Sequence, residues 1–366
     1  MTRADHPVTP ARARAWVQHL RQGGSTPWLD FPDDAAAPGS SVELPGVAQL
    51  ELARRLNERA GHRTGRAHGD LIDRVLVAGA PGRGQQVRSL LDTRPVDPAT
   101  VSDSELVRVA VGVLADIVTE HDPGADEEPT RKRRGILVLG PPLAVAATLA
   151  TNGLPSGPPT RPSKVVVLAD ELDRGMADVW AGRIREGSTQ TWPGFVASMR
   201  GRDRLPPRTN AAAIAERWAA RVGPDRVHLV FGPGLVHGIT RKPFAAAYPA
   251  PVAAAHDLVR EVNAVLGILR DEQTHRRLVD QVLWPMVADT PGPPPRLDAG
   301  GHDWLHARGE RMRDAIRSGG YALHGDPGHV VPVNPAERDP ERDAAGRMTV
   351  LDVALSTLLG TREENL

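Results

Sequence analysis

The sequence predicts an α/β protein whose three-layer core surrounds a parallel sheet. Three short, continuous apolar runs carry this prediction, at residues 136–140, 164–170 and 225–232. Strands that are buried on both faces of a parallel sheet have this pattern. Segments with helical periodicity separate and follow the runs, at residues 142–152, 171–187 and 210–222. Strand and helix therefore alternate, as in right-handed βαβ units.

The region before this core is predicted to be mostly helical. Helical patterns cover residues 8–22, 46–61, 69–84 and 102–121. The last of these has the clearest start, because Ser102 or Ser104 can cap it and Glu105 lies three residues after Ser102. A charged segment then runs from acidic to basic residues and is typical of a linker. We therefore expect a helical N-terminal region (1–121), a linker (122–135) and a core with a C-terminal tail (136–366).

The tail of the chain is expected to be helical again. Periodicity is sustained over residues 250–289, 302–318 and 348–360. Thr349 is the expected cap of the last helix, and Gly360 its end. Residues 320–333 are predicted to form a turn-rich element.

Composition restricts the classes of function. The 366 residues include 45 basic and 45 acidic ones, which gives no electrostatic case for nucleic acid or an anionic membrane. The absence of cysteine excludes thiolate catalysis and cysteine-ligated zinc, and fits a cytoplasmic location. The first residues lack the apolar stretch of a signal peptide, and no apolar run approaches the roughly 18 residues of a membrane span.

The turn after the first apolar run decides whether the core has a phosphate site. A phosphate loop needs glycines, amide donors, a cation and a hydroxyl. Here Gly140 is followed by Pro141 and Pro142, which have no amide hydrogen. The nearest downstream hydroxyl is Thr148, and the nearest downstream lysine is Lys164. We therefore interpret the turn as a strand-to-helix connection in which proline starts the helix.

Residues 135–330 resemble bacterial, chiefly actinobacterial, sulfotransferase-family proteins. The resemblance is carried by "ILVLGPP" (136–142), by "KVVVLADELDRGMADVWAGRIREGSTQTWPGFVASM" (164–199) and by "ERWAARVGPDRVHLVFGPG" (216–234). It implies a P-loop-like topology and a PAPS-type sulfuryl donor (3′-phosphoadenosine 5′-phosphosulfate).

The residues expected to hold that donor are changed. The lysine and threonines of the family's loop fall at Pro142 and its neighbours, and an arginine that holds the 3′-phosphate falls near Asp170. At ~4 Å and a surface-like dielectric, reversing one such contact is worth on the order of several kcal/mol. The phosphate-binding loop is therefore interpreted as degenerate.

The remaining candidate residues follow the predicted strands. Ligands of such sheets bind outside the carboxyl ends of the strands, which groups Gly140, Asp170 and Arg174 as cofactor-binding candidates and His237 as a general-base candidate. His324, Asp326 and His329 lie close in sequence, but their spacing matches no zinc signature. No metal is therefore expected, and residues 324–329 are interpreted as a polar turn.

Three functions remain open. The first is a non-catalytic member of the sulfotransferase-like family, a pseudoenzyme that binds a protein partner. The second is a sulfotransferase or another nucleotide-dependent transferase with an altered phosphate site. The third is an unrelated α/β binding module.

Overall fold

The computed structural model describes residues 10–32, 44–61, 65–79, 97–125, 134–333 and 348–360. The chain divides into two compact units. The first combines Met1–Pro123, Glu261–Thr290 and Met348–Leu366, and the second combines Gly124–Arg260 and Pro291–Arg347.

The helices and strands alternate only in the middle of the chain. In chain order they are α1 (Pro10–Arg21), α2 (Val47–Ala60), α3 (Arg66–Val77), α4 (Asp103–Thr119), β1 (Arg134–Leu139), α5 (Pro142–Thr151), β2 (Arg161–Ala169), α6 (Leu172–Arg185), α7 (Trp192–Gly201), α8 (Ala211–Val222), β3 (Val227–Phe231), β4 (Gly234–Val236), β5 (Phe244–Ala246), α9 (Ala253–Leu269), α10 (Glu272–Leu278), α11 (Trp284–Val287), α12 (Ala299–Ser318), β6 (Ala322–His324) and α13 (Val350–Gly360). A π-helical turn, Val279–Leu283, joins α10 to α11.

The first unit is helical. Helices α1, α2 and α4 start within two residues of the predicted positions, whereas α3 starts at Arg66, three residues before the predicted start. Ser102 caps α4 by accepting a hydrogen bond from the Glu105 amide. Thr349 and Asp352 form a reciprocal capping box at the start of α13, with each side chain accepting from the other residue's amide at 3.1 and 3.0 Å. Helices α2, α4 and α13 pack together and bury apolar side chains such as Leu114.

The second unit contains a four-stranded parallel sheet in the order β1-β2-β3-β6. Leu139 of β1 is in register with Val167 of β2, and Ala169 of β2 with Phe231 of β3. The carboxyl ends of these strands therefore meet at one edge. Helix α5 and the antiparallel β4–β5 hairpin cover one face of the sheet. Every residue of β3 is buried, as expected for a central parallel strand.

The predicted α/β class with a parallel sheet is confirmed. The strands β4, β5 and β6 were not predicted, because a run of three residues carries no periodicity. Strand β6 lies inside the segment interpreted as turn-rich.

The division of the chain differs from the predicted one in its C-terminal part. The first boundary falls between Pro123 and Gly124, within the predicted linker, whose residues 126–133 lie outside the described ones. Residues 261–290 and 348–360, expected to belong to the core's tail, instead pack in the first unit. The predicted helix 69–84 ends at Val77, and its residues 80–84 lie outside the described ones. Among the described helices, none has the length and apolar character that crossing a bilayer requires.

Candidate functional site at the carboxyl edge of the sheet

The turn after β1 is made possible by a glycine. Gly140 has a φ of +143°, a backbone conformation that residues other than glycine rarely adopt. A Cβ at this position would lie 2.8 Å from the carbonyl oxygen of Leu168 on the neighbouring strand. The chain therefore turns tightly against β2 before it enters α5.

The N-terminus of α5 is occupied by an anion that the protein itself supplies. Asp178 of α6 accepts hydrogen bonds from the amides of Leu143 at 2.8 Å and Ala144 at 2.9 Å, one on each carboxylate oxygen. The next amide, that of Val145, donates within the helix to the carbonyl of Pro141. Because Pro142 has no amide hydrogen, every donor of this first turn already has a partner. Helix N-termini attract anions, and here Asp178 fills that place.

Burial and hydrogen bonding act on Asp178 in opposite directions. Its side chain is buried, and this burial raises its pKa to about 7, against the lowering effect of the two amides and of the positive charge of Arg208. Asp178 is therefore ionised above neutral pH, where it offers the helix a full negative charge.

Helix α6 reaches α5 because it presents two glycines beside Asp178. Gly175, Asp178 and Gly182 share one helical face at spacings of three and four residues. A Cβ on Gly182 would lie 2.6 Å from Cγ of Pro142, and a Cβ on Gly175 would lie 3.7 Å from Cγ of Pro141. The prolines thus pack directly on α6, and Asp178 is carried to the amides behind them.

A second buried aspartate lies at the end of β2. Asp170 Oδ1 accepts a hydrogen bond from the Glu171 amide at 2.9 Å and lies 3.0 Å from Nε2 of His329. This contact with Asp170 raises the pKa of His329 above its usual value, although burial opposes it. The imidazole packs closely against Gly232: a Cβ at this position would lie 3.1 Å from Nε2 of His329. The pair can hold or release a proton at the carboxyl edge.

A tyrosine lies beside the same pair. Tyr248 donates its hydroxyl to the carbonyl of Val230 at 2.9 Å. Burial, and secondarily the charge of Asp170, raise its pKa well above the usual value. The Tyr248 hydroxyl therefore stays protonated and positions the end of β3.

The structure brings together three of the four predicted site residues. Gly140 and Asp170 lie at adjacent strand ends, and Arg174 is exposed in the first turn of α6, where its charge acts on His329. His237 lies elsewhere. Its neighbour Gly238 accepts a hydrogen bond from Lys164 Nζ at 2.7 Å, and Lys164 precedes Asp170 by roughly 20 Å of strand at about 3.3 Å per residue.

The three residues weighed as metal ligands have different partners. His324 Nε2 lies 3.0 Å from Nδ1 of His228, Asp326 accepts from the Gly328 amide, and His329 contacts Asp170. Their side chains therefore do not converge, and the polar-turn interpretation fits the observed 3₁₀ helix Pro327–Val330.

Sequence reasoning missed Asp178 and the role of His329. Asp178 stands between apolar residues in "GMADVW" (175–180), and an acid on the apolar side of a helix is a signal of a buried partner. His329 was considered only as a metal ligand.

Comparisons with known proteins identify no relative of this chain. No protein-family model matches this sequence, and neither curated proteins nor solved structures show significant similarity to it.

Proposed function

We propose that the α/β unit is a sulfotransferase-like protein that has lost binding of a PAPS-type donor and acts as a non-catalytic binding protein for a protein partner. The observation that carries the proposal is the Asp178 carboxylate on the amides of Leu143 and Ala144. An internal anion at this place supports a loop that no longer receives phosphate.

The electrostatics favour exclusion of a second anion. At a pH above the pKa of Asp178, where its carboxylate is ionised, two unit charges about 4 Å apart repel by about 4 kcal/mol at an effective dielectric of 20, which is a loss of roughly 1,000-fold in affinity. The phosphate would also have no free amide, because the donors of the first turn of α5 are already bonded. Both effects oppose the donor at the same position.

The end of β2 supports the same conclusion independently. The resemblance implies an arginine near position 170, whereas Asp170 is buried and bonded to His329. A 3′-phosphate would meet a carboxylate there. Two of the contacts expected from the family are therefore replaced by acids.

Calorimetric titration of the full chain with adenosine 3′,5′-bisphosphate tests the proposal. We expect no measurable heat of binding up to ligand concentrations on the order of 1 mM. A micromolar dissociation constant that is lost in Arg174→Ala would contradict the proposal, since it would place the nucleotide at the predicted strand ends.

A second candidate function is an active transferase with an altered donor site. The Asp170–His329 pair favours it, because a histidine held by a carboxylate can accept the proton of an acceptor hydroxyl. On this alternative, the nucleotide titration gives binding, and sulfuryl transfer from PAPS to an acceptor is lost in His329→Ala.

A further inference from the structure

We infer that a cavity beside Gly140 binds a small amphipathic organic anion, with a short alkyl or aryl body and a single carboxylate, sulfate or phosphate group. The cavity has a volume of about 240 Å³ and lies among the end of β1, the start of α5, and α8. Its occupancy does not depend on the proposed loss of the donor.

Four side chains of the cavity lining form an apolar wall. Val138, Val145, Pro207 and Ile214 line it, and these side chains present neither a hydroxyl nor an amide. An apolar wall of this kind favours burial of hydrocarbon, at roughly 25 cal/mol per Å² removed from water. The ligand therefore needs an apolar body rather than a sugar or a nucleoside.

The polar part of the lining is two arginines. Arg208 and Arg217 border the cavity. The charge of Arg208 also acts on Asp178, whose carboxylate is itself bonded to the amides of Leu143 and Ala144. None of the described residues that line the cavity is acidic. Guanidinium groups recognise carboxylate, sulfate and phosphate by paired hydrogen bonds, so an anionic head group is the complement.

An adjoining cavity extends the site in one direction. It has a volume of about 270 Å³ and shares Pro207, Ile214 and Arg217 with the first. The acid that lines it, Asp203, is held by Arg308 and by Nε1 of Trp304 at 2.9 Å. Its negative charge is therefore already compensated, and a longer ligand that carries polar groups can follow this direction past Arg204, Asn210 and Arg308.

The same features argue against a nucleotide polyphosphate in the cavity. The amides of Leu143 and Ala144 are bonded to Asp178, and no lysine, serine or threonine lines the cavity among the described residues. Two guanidinium groups suit one anionic head group rather than a chain of phosphates.

Binding of three probes to the full chain, measured by calorimetry or ligand-observed NMR, tests the inference. Octanoate has both the body and the charge, octan-1-ol has the body alone, and inorganic phosphate has the charge alone. We expect a dissociation constant for octanoate on the order of 1 mM or tighter. The other two probes are expected to bind at least about tenfold more weakly, because octan-1-ol lacks the anionic group and phosphate lacks the apolar body.

Variants of exposed arginines locate the site without disturbing the fold. Arg208→Gln and Arg217→Gln should each weaken octanoate about tenfold, the loss of one charge-assisted contact. Arg221→Gln is the matched control: it lies on the same helix, over the Trp218 ring at 5.2 Å and outside the cavity, and should leave the affinity unchanged. Val145→Phe should abolish binding, because the larger side chain would fill the space beside the apolar wall.

Three results would overturn the inference: absence of octanoate binding, equal affinity in the Arg208→Gln/Arg217→Gln double variant, or phosphate binding as tight as octanoate. Each is independent of the adenosine 3′,5′-bisphosphate titration, so failure here leaves the proposed loss of the donor standing.

Discussion

Among the buried aspartates of the α/β unit, Asp170 and Asp178 are bound by different kinds of donor. Asp178 accepts two backbone amides at the start of α5, whereas Asp170 is held by one amide and a histidine. A buried carboxylate without such partners would be strongly disfavoured. The donors therefore explain how both acids are tolerated at the carboxyl edge of the sheet.

Replacing Asp170 tests the pairing with His329. In Asp170→Asn the pKa of His329 should fall to or below its usual value, because the raising contact is lost and burial remains. Since the folded pKa is raised in the wild type, the pair stabilises the fold fully below about pH 6.5, and this stabilisation disappears as the pH rises through the folded value.

An NMR titration of the histidine side chains measures this pKa. Asp173→Asn, a change in the same segment that leaves the Asp170–His329 hydrogen bond in place, is the control and should not move it. An unchanged His329 pKa in Asp170→Asn would show that the contact is absent in solution.

Helices α5 and α6 form one packed element around the two prolines. Gly175 and Gly182 leave the space that the rings of Pro141 and Pro142 fill, and Asp178 reaches past them to the helix start. The position of a proline as the first residue of a helix is favourable in itself, because its missing amide has no partner there. The Pro-Pro turn and the glycine-flanked acid are therefore complementary.

Gly182→Ala tests this packing. The new methyl carbon would lie 2.6 Å from Cγ of Pro142, so we expect α5 to shift and the fold to lose about 1–3 kcal/mol. Gly201→Ala, near a helix end with no atom within 4 Å of the added carbon, should be neutral or stabilising by about 0.5–1 kcal/mol. Hydrogen exchange of residues 142–151 and thermal unfolding report both. Unchanged protection in Gly182→Ala would contradict the packing described.

The longer elements were predictable because their apolar residues repeat with the period of a helix or fill a strand. Helix α8 and strands β1 to β3 fall where the sequence places them. The short strands and the partner of Asp178 depend instead on segments far apart, since Asp178 and Leu143 are separated by 35 residues. His237 was misplaced for the same reason: the β4–β5 hairpin returns along the sheet toward Lys164.

The molecule as a whole consists of two units, and each unit is built from more than one segment of the chain. Residues 261–290 and 348–360 join the N-terminal helices, and residues 291–333 join the sheet. Helical periodicity identifies an apolar face but does not say which other face covers it. The sequence therefore indicated the helices of the tail but assigned all of them to the core, whereas part of them belongs to the first unit.

Chemical rescue of Asp178→Ala measures the central claim most directly, that the carboxylate of Asp178 stands where an external anion would bind. Removal of the carboxylate should leave the amides of Leu143 and Ala144 without their acceptor and lower the hydrogen-exchange protection of α5, and formate at pH 8, which has the size of the deleted group, should restore that protection. The wild type and Asp173→Ala should not respond to formate, and chloride of equal ionic strength should not replace it. A variant whose α5 amides keep the protection of the wild type, or one indifferent to formate, would contradict the claim.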